Sequence, residues 1–168
     1  MQEDKIIIYT DGAARGNPGK AGWGVVFILC KKVFEIGGAE KHATNNQMEL
    51  TAPIEALKYL KKHLSAQAGK INGSIEFFCD SKYVILGITE WIHNWMKNNW
   101  RNAAKKPVLN RELWEELYEL VEEFKCTFSG RKIKWTYVEG HNGNRYNDRA
   151  DLIATSFADG EPIKLIKK

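Results

Sequence analysis

The run Ile6-Ile7-Ile8-Tyr9-Thr10-Asp11 constrains this 168-residue chain more than any other stretch. Three β-branched residues and a tyrosine follow one another without polar alternation. That is the pattern of a strand covered on both faces, and so of a strand in the middle of a sheet. It delivers Asp11 where the run gives way to Gly12-Ala13-Ala14-Arg15-Gly16-Asn17-Pro18-Gly19, which is dense in turn residues, so the strand is expected to end there. A carboxylate at the open end of a central strand suits a metal ligand or a general base. Taken alone it is more commonly a solubilising group, and its meaning depends on what later elements bring beside it.

Those elements can be read in order. Trp23 to Leu29 and Val33 to Gly37 read as strands joined across Lys31-Lys32, a hairpin that completes an antiparallel meander with the first strand. Thr44-Asn45-Asn46-Gln47 has the capping-box pattern, and Leu50, Ile54 and Leu57 follow at helical spacing, predicting a helix to about His63. Pro53 falls inside that helix and should remove the bond to the Glu49 carbonyl and bend it. After a loop over 66–72, Ser74 to Cys79 reads as a strand ending at Asp80, free to run parallel to the first because a helix intervenes. Ser81 is expected to cap a short helix, and Glu90 to Trp100 to be helical. Asn110 is expected to cap a helix with Leu113, Leu117, Leu120, Val121 and Phe124 on one face. Ile133 to Val138 reads as an edge strand, and Asn147 as the cap of a last helix ending near Ala158. The reading is one α/β domain over 1–160 with a five-stranded mixed sheet, an antiparallel three-strand meander plus two parallel strands, flanked by helices. The short charged tail, 161–168, is expected to fray.

Composition narrows the classes of function. Hydrophobic residues at 43% and charged residues at 27% fit a soluble globular domain. No apolar run approaches the ~20 residues that span a bilayer, so no membrane partner is expected. The charged Met-Gln-Glu-Asp-Lys opening leads straight into a strand, arguing against a secretory leader. Cys30, Cys79 and Cys126 are odd in number and widely spaced, which reads as reduced thiols in a cytoplasmic protein and offers no zinc site. A net charge of +4 decides little, but Ile92 to Arg111 holds no acid while carrying Lys97, Arg101, Lys105, Lys106 and Arg111. Such a one-sign patch suggests a polyanionic partner.

Three further carboxylates can reach the end of the sheet where Asp11 lies. Asp80 ends the parallel strand, and ligand sites in open α/β sheets lie outside the carboxyl ends of the strands. Glu49 lies early in the helix packed across that sheet, and Asp151 in the final helix. At roughly 100° per residue, Asp151 borders the apolar face of Ala150, Ile153, Ala154, Phe157 and Ala158, whereas Asp148 points away. Oxygen ligands without His or Cys partners suit Mg²⁺ or Mn²⁺. Crowded carboxylates cannot all stay ionised without a cation, and two such ions roughly 3.5–4 Å apart can serve phosphoryl transfer.

The same residues fall into Tyr9-Thr10-Asp11-Gly12, Gly16-Asn17-Pro18-Gly19, Thr44-Asn45-Asn46-Gln47-Met48-Glu49-Leu50, Asp80-Ser81-Lys82-Tyr83-Val84, Trp91-Ile92-His93-Asn94-Trp95, Lys105-Lys106-Pro107-Val108, Gly140-His141 and Asn147-Asp148-Arg149-Ala150-Asp151. In these segments, taken in unbroken order over roughly 5–158, the chain resembles the ribonuclease H type 1 family in its compact bacterial form. The resemblance implies a ribonuclease H-like fold and cleavage of the RNA strand of RNA–DNA hybrids, leaving 5′-phosphate and 3′-hydroxyl ends. It implies two Mg²⁺ ions, with Mn²⁺ a possible substitute, held by Asp11, Glu49, Asp80 and Asp151. Glu49 would also accept from a ribose 2′-hydroxyl, and His141 would move protons or help product leave. Asn17, Thr44, Asn45 and Asn46 would meet sugars and base edges. Trp91, Trp95, Lys97, Trp100, Arg101, Lys105 and Lys106 match a basic protrusion that grips the DNA strand. The implied protein is a monomer with a hybrid duplex as partner and no organic cofactor. Lys82 stands where relatives often carry glutamine, and Ala14 replaces a more polar residue or a cysteine, which bears on substrate contacts rather than metal ligands. Two rivals remain: a junction resolvase or transposase-like nuclease on the same fold, and a non-catalytic hybrid-binding module. The Trp-rich basic protrusion and the Thr-Asn-Asn-Gln-Met-Glu string argue against the first. Four retained acids argue against the second, since carboxylates repel a polyanion unless cations fill the site.

Overall fold

The computed structural model describes residues 5–64, 73–127 and 132–168. Its sheet has five strands in the order β3-β2-β1-β4-β5, so β1 (Ile6–Gly16) is central. β2 (Gly19–Leu29) and β3 (Lys32–Ala43) complete the antiparallel meander, while β4 (Ile75–Cys79) pairs parallel to β1 and β5 (Ile133–Tyr137) parallel to β4 at the edge.

The apolar run of β1 is divided between two layers. Ile6 and Ile8 join Val25 and Phe27 against α1 (Asn45–Leu64) and α4 (Arg111–Thr127), whereas Tyr9 and Val26 meet Ala150 and Ile153 of α5 (Arg145–Ala158). The alternation follows from the two-residue period of a strand, and burial on both faces is what the absence of polar alternation predicts. Ile8 is fully buried, so Ile8→Ala would cost about 2–5 kcal/mol. α1 begins with the expected capping box: Gln47 N–H donates to Thr44 Oγ1 (3.1 Å) and Thr44 N–H to Gln47 Oε1 (2.8 Å). It continues without interruption across Pro53 to Leu64. The loop expected over 66–72 lies outside the described residues.

Several expectations are corrected. β1 does not end at Asp11 but continues through the small residues to Gly16, paired with β2, and the turn is confined to Gly16–Gly19. β2 and β3 are correspondingly longer than the apolar runs that announced them. The Ser81 hydroxyl does accept from Val84 N–H (3.2 Å), capping α2 (Lys82–Leu86). From there a π-turn over Gly87–Trp91 leads into α3 (Ile92–Lys97), which stops short of Trp100. Gly87 packs on the ring of the fully buried Trp114, leaving no room for a Cβ. Asn110 heads α4 with its carbonyl, which accepts from Trp114 N–H (3.1 Å), while its amide turns to the Tyr83 hydroxyl (3.2 Å). The cap of α5 is Asn144, whose side chain accepts from Tyr146 and Asn147 N–H, rather than Asn147.

The C-terminal tail is docked, not frayed. Glu35 N–H donates to Ile166 O (2.7 Å), Ile166 N–H to Glu35 Oε2 (2.9 Å) and Ile163 N–H to Ser156 Oγ (3.2 Å). Ile163 and Leu165 pack on the cluster around Tyr9 and Ile153. The alternation of these apolar residues with lysines lets one side of the tail lie on the protein while the other stays in water.

Candidate active site

The register of the parallel strands brings the first two carboxylates level. The β1–β4 ladder ends with Tyr9 opposite Phe78, and Asp11 and Asp80 each lie two residues further on. Although β1 itself continues, its parallel neighbour does not, so both acids stand at the carboxyl edge of that pairing. Glu49 arrives from the start of α1, which lies directly on β1 because Gly12 has no side chain; a Cβ there would overlap the backbone of Met48 and Glu49. One ligand oxygen from each of Asp11, Glu49 and Asp80 lies within 4.8 Å of the other two.

What sets these acids apart is what surrounds them. Two other buried carboxylates have cations. Glu35 receives Arg149 in a bidentate pair (2.7 and 2.9 Å), and Glu76 is met by Lys5, by Lys134 (3.3 Å) and by the Thr136 hydroxyl (2.8 Å). Burial opposes the charge of both, yet these partners hold both below the usual carboxylate range. Asp11 and Glu49 have no such cation among the described residues. Burial first, then the charges of Asp80 and Asp151, push Asp11 up to about 8. Glu49 is raised well above its ordinary value by burial and then by Asp11 and Asp80. The hydrogen bond between them lowers Asp11 and raises Glu49, the pattern of two carboxyls sharing a proton. A donor set of oxygens, crowded and lacking a counter-charge, fits a hard divalent cation. Nearby Cys79 does not add to it, because burial pushes its thiol up to about 12.

Asp151 is not among the three clustered ligand groups, but it is close enough to raise both Asp11 and Asp80. It is half-buried on α5, whereas Asp148 is exposed in the first turn. His141 sits exposed on the loop between β5 and α5 at φ +55°, close enough to Asp80 to favour that carboxyl's ionised form. Gly140 passes Asp80 so closely that a Cβ would lie 2.5 Å from Oδ2. Sequence reasoning did not find Asn147, which is buried with its amide on Asp80. The available signal was spacing, since Asn147 lies four residues before Asp151 and so on the same helix face.

The other expected contact residues form a rim. Asn17 Oδ1 accepts from Asn45 N–H (3.1 Å), tying the β1–β2 turn to the head of α1, where Asn45 and Asn46 are exposed and Thr44 is half-buried. Beyond α3 the basic segment is a built loop. Trp100 N–H donates to Trp95 O (2.7 Å), Asn102 N–H to Lys106 O (2.9 Å), and Lys106 N–H to Asn102 Oδ1 (3.0 Å). Arg101 Nη1 donates to Lys105 O (2.8 Å), so that guanidinium holds the loop that presents Lys105 and Lys106. Trp95 packs edge-on against buried Trp114 (5.3 Å between centroids) and in turn contacts Trp100 (6.3 Å) and Trp91 (6.0 Å), an aromatic series that roots the loop in the core. Lys97, Arg101, Lys105 and Lys106 remain exposed.

Comparison with known proteins decides the family. The family model described as RNase H matches residues 3–159. The chain belongs to the RNase H family. The Ribonuclease H of Thermosynechococcus vestitus is 46% identical over 159 residues, covering 94% of this chain and 91% of that protein. Among solved structures, LC9-RNase H1, a type 1 RNase H with the type 2 active-site motif, shares the fold with a TM-score of 0.77 at 23% identity, over 100% of this chain and 79% of that one. LC11-RNase H1, solved in complex with an RNA/DNA hybrid, aligns with a TM-score of 0.66 at 25% identity, over 92% of this chain and 97% of that one.

Proposed function

We propose that this member of the RNase H family is an endoribonuclease that hydrolyses the RNA strand of RNA–DNA hybrids, leaving 5′-phosphate and 3′-hydroxyl ends. The observation that carries the reading is the convergence of Asp11, Glu49 and Asp80, two of them buried, at the carboxyl edge of the parallel strands. The hybrid complex of LC11-RNase H1 supports the substrate class.

Asp11, Glu49 and Asp80, with Asp151 beside them, would hold two divalent cations, for which we favour Mg²⁺ with Mn²⁺ as a substitute. Such ions, when bound, supply the charge neutralisation and Lewis acidity that phosphodiester hydrolysis needs. The chain's own residues bind and orient the duplex. The rim asparagines Asn17, Asn45 and Asn46, with Thr44, face sugars and base edges in the shallow minor groove, and Glu49 accepts from the 2′-hydroxyl that marks RNA. Lys97, Lys105 and Lys106 pair with phosphates of the DNA strand, and Trp91, Trp95 and Trp100 support its sugars. His141, exposed on its loop, moves a proton near Asp80 or eases product departure. We further read the protein as a cytoplasmic monomer needing no organic cofactor. Cys79 and Cys126 are in no disulfide among the described residues, and no described helix is long and apolar enough to cross a membrane.

A labelled RNA–DNA hybrid, a duplex DNA and a four-way junction, each incubated with and without Mg²⁺, test the reading. Cleavage of the RNA strand of the hybrid alone, only with Mg²⁺, is expected. Preference for the junction would favour a resolvase, and hybrid binding without turnover a non-catalytic module.

A further inference from the structure

Asn147 is 1% exposed, yet its side-chain oxygen has no hydrogen-bond partner among the described residues. Burying an unpaired amide oxygen costs stability, and folded proteins seldom retain one without a reason. Capping does not supply the reason, because Asn144 caps α5. Asn147 shares a helix face with Asp151, Ala154 and Ala158, the stripe that runs down onto the sheet. Its amide lies on Asp80, the least buried of the three clustered acids, which Gly140 borders so closely that no Cβ fits. One end of Asn147 is thus engaged with a candidate ligand, and the other is buried without a donor.

We propose that Asn147 is a positioning residue of the cation site: its amide nitrogen fixes the Asp80 carboxylate relative to Asp11 and Glu49, and its unpaired oxygen is an acceptor kept for the hydration shell of an incoming divalent cation. This rests on reading the acidic cluster as a metal centre. Mg²⁺ gives up its water reluctantly and is usually bound with several waters, each of which presents donors. A neutral amide provides the acceptor without adding another negative charge beside Asp11, Glu49, Asp80 and Asp151. Groups that orient ligands typically change metal affinity by about 10–100-fold when removed.

The test compares wild type and Asn147→Ala in the absence of nucleic acid, by thermal melting and by calorimetric titration with Mg²⁺ and Mn²⁺. Without metal the variant should melt close to the wild-type temperature, because losing an unpaired buried acceptor offsets losing the amide's bond to Asp80. Its affinity for Mg²⁺ should fall about tenfold, and the Mg²⁺ needed for half-maximal hybrid cleavage should rise in parallel. A variant that loses metal-free stability while binding Mg²⁺ like wild type overturns the proposal and makes Asn147 a packing residue. If Asn147→Ala does not fold, Asn147→Ser is titrated instead, and unchanged affinity there overturns it equally. Should wild type bind neither ion while Asp11→Asn also leaves cleavage intact, the metal-centre reading falls and this role with it.

Discussion

The acidic centre and the basic protrusion hold like charges together in opposite ways. At the centre the charges are buried and the geometry is rigid. Asp11 and Glu49 stand on a central strand and a packed helix, ligand oxygens within 4.8 Å of one on Asp80, and burial with repulsion from neighbouring carboxylates, Asp151 among them, raises the pKa of all three. In the protrusion the charges are exposed, and the backbone is what is fixed. Its lysines reach into solvent from a loop tied by its own hydrogen bonds and rooted through Trp95 on Trp114. The first arrangement stores repulsion that a cation relieves, so it should answer to metal and pH and little to ionic strength. The second is screened over about 8–10 Å at ordinary salt, so it should answer to ionic strength and little to pH.

The largest effect should come from breaking the centre. Asp11→Asn removes a ligand and should lower Mg²⁺-dependent cleavage by more than about 10³-fold, several kcal/mol of barrier. The metal-free variant should melt above wild type, because no carboxyl then has to be held protonated or charged at that buried position. Initial rates and melting curves check both, and substantial activity would sink the ligand assignment.

Next in size is the contrast within α5. Asp151→Ala should reduce cleavage by at least about tenfold. Asp148→Ala, exposed in the first turn, should cost only about 0.3–1 kcal/mol of stability through the helix dipole. An inactive Asp148→Ala beside an active Asp151→Ala would reverse the assignment.

The protrusion should respond through salt. Replacing Lys97, Lys105 and Lys106 with alanine should reduce the log–log dependence of hybrid affinity on salt by up to about one unit per lost phosphate contact. Turnover at saturating substrate should hardly change. Arg101→Ala should weaken binding in the wild type but add little once Lys105 and Lys106 are gone, because Arg101 acts through the loop that carries them. Full additivity in that double-mutant cycle would make Arg101 a phosphate contact in its own right.

The last contrast is in stability against pH. The Asp11 carboxyl is held at about 8 in the folded chain against 3.8 ordinarily, so between those values the folded state keeps a proton that the unfolded state has released. That stability is complete below about pH 4 and is lost as pH rises through about 8. Glu49 acts in the same direction. The melting temperature of metal-free protein should therefore fall across this window, and Asp11→Asn should flatten the slope. A melting temperature that rose instead would contradict the electrostatic account of the centre.

Much of this was legible in the sequence, for reasons that differ by element. The unalternating isoleucines place β1 at the centre, and Thr44 with Gln47 marks the head of α1, because burial on both faces and reciprocal capping are local constraints written in local residues. Asp80 could be placed because a strand of five residues leaves little freedom in where its end falls. The continuation of β1 past Asp11 could not be read, since Gly12, Ala13 and Ala14 are poor strand formers alone. They become strand because Gly12 lies under α1 and Gly22 and Gly24 of the paired strand lie under α5, contacts between distant parts of the chain. Asn144 and Asn147 look equally able to cap, and only the packing of α5 separates the cap from the residue on Asp80.

The docked tail bears on how one outer edge of the sheet is covered. β3 is an outer strand, and an unpaired outer strand offers a row of backbone groups to any other chain in extended form. Here the Glu35 N–H, facing away from β2, is already taken by Ile166, and the same glutamate is clasped by Arg149, which also donates to Lys164 O (3.1 Å). At Glu35 a second molecule could pair with this edge only by displacing the tail, which is also held by Ser156 and by the apolar seat of Ile163 and Leu165. The opposite edge needs no cover of that kind, since β5 is five residues long and carries exposed Lys134, so brevity and charge discourage pairing there. The last eight residues thus occupy part of an outer strand's free side at Glu35 while lying away from the acids at the carboxyl edge.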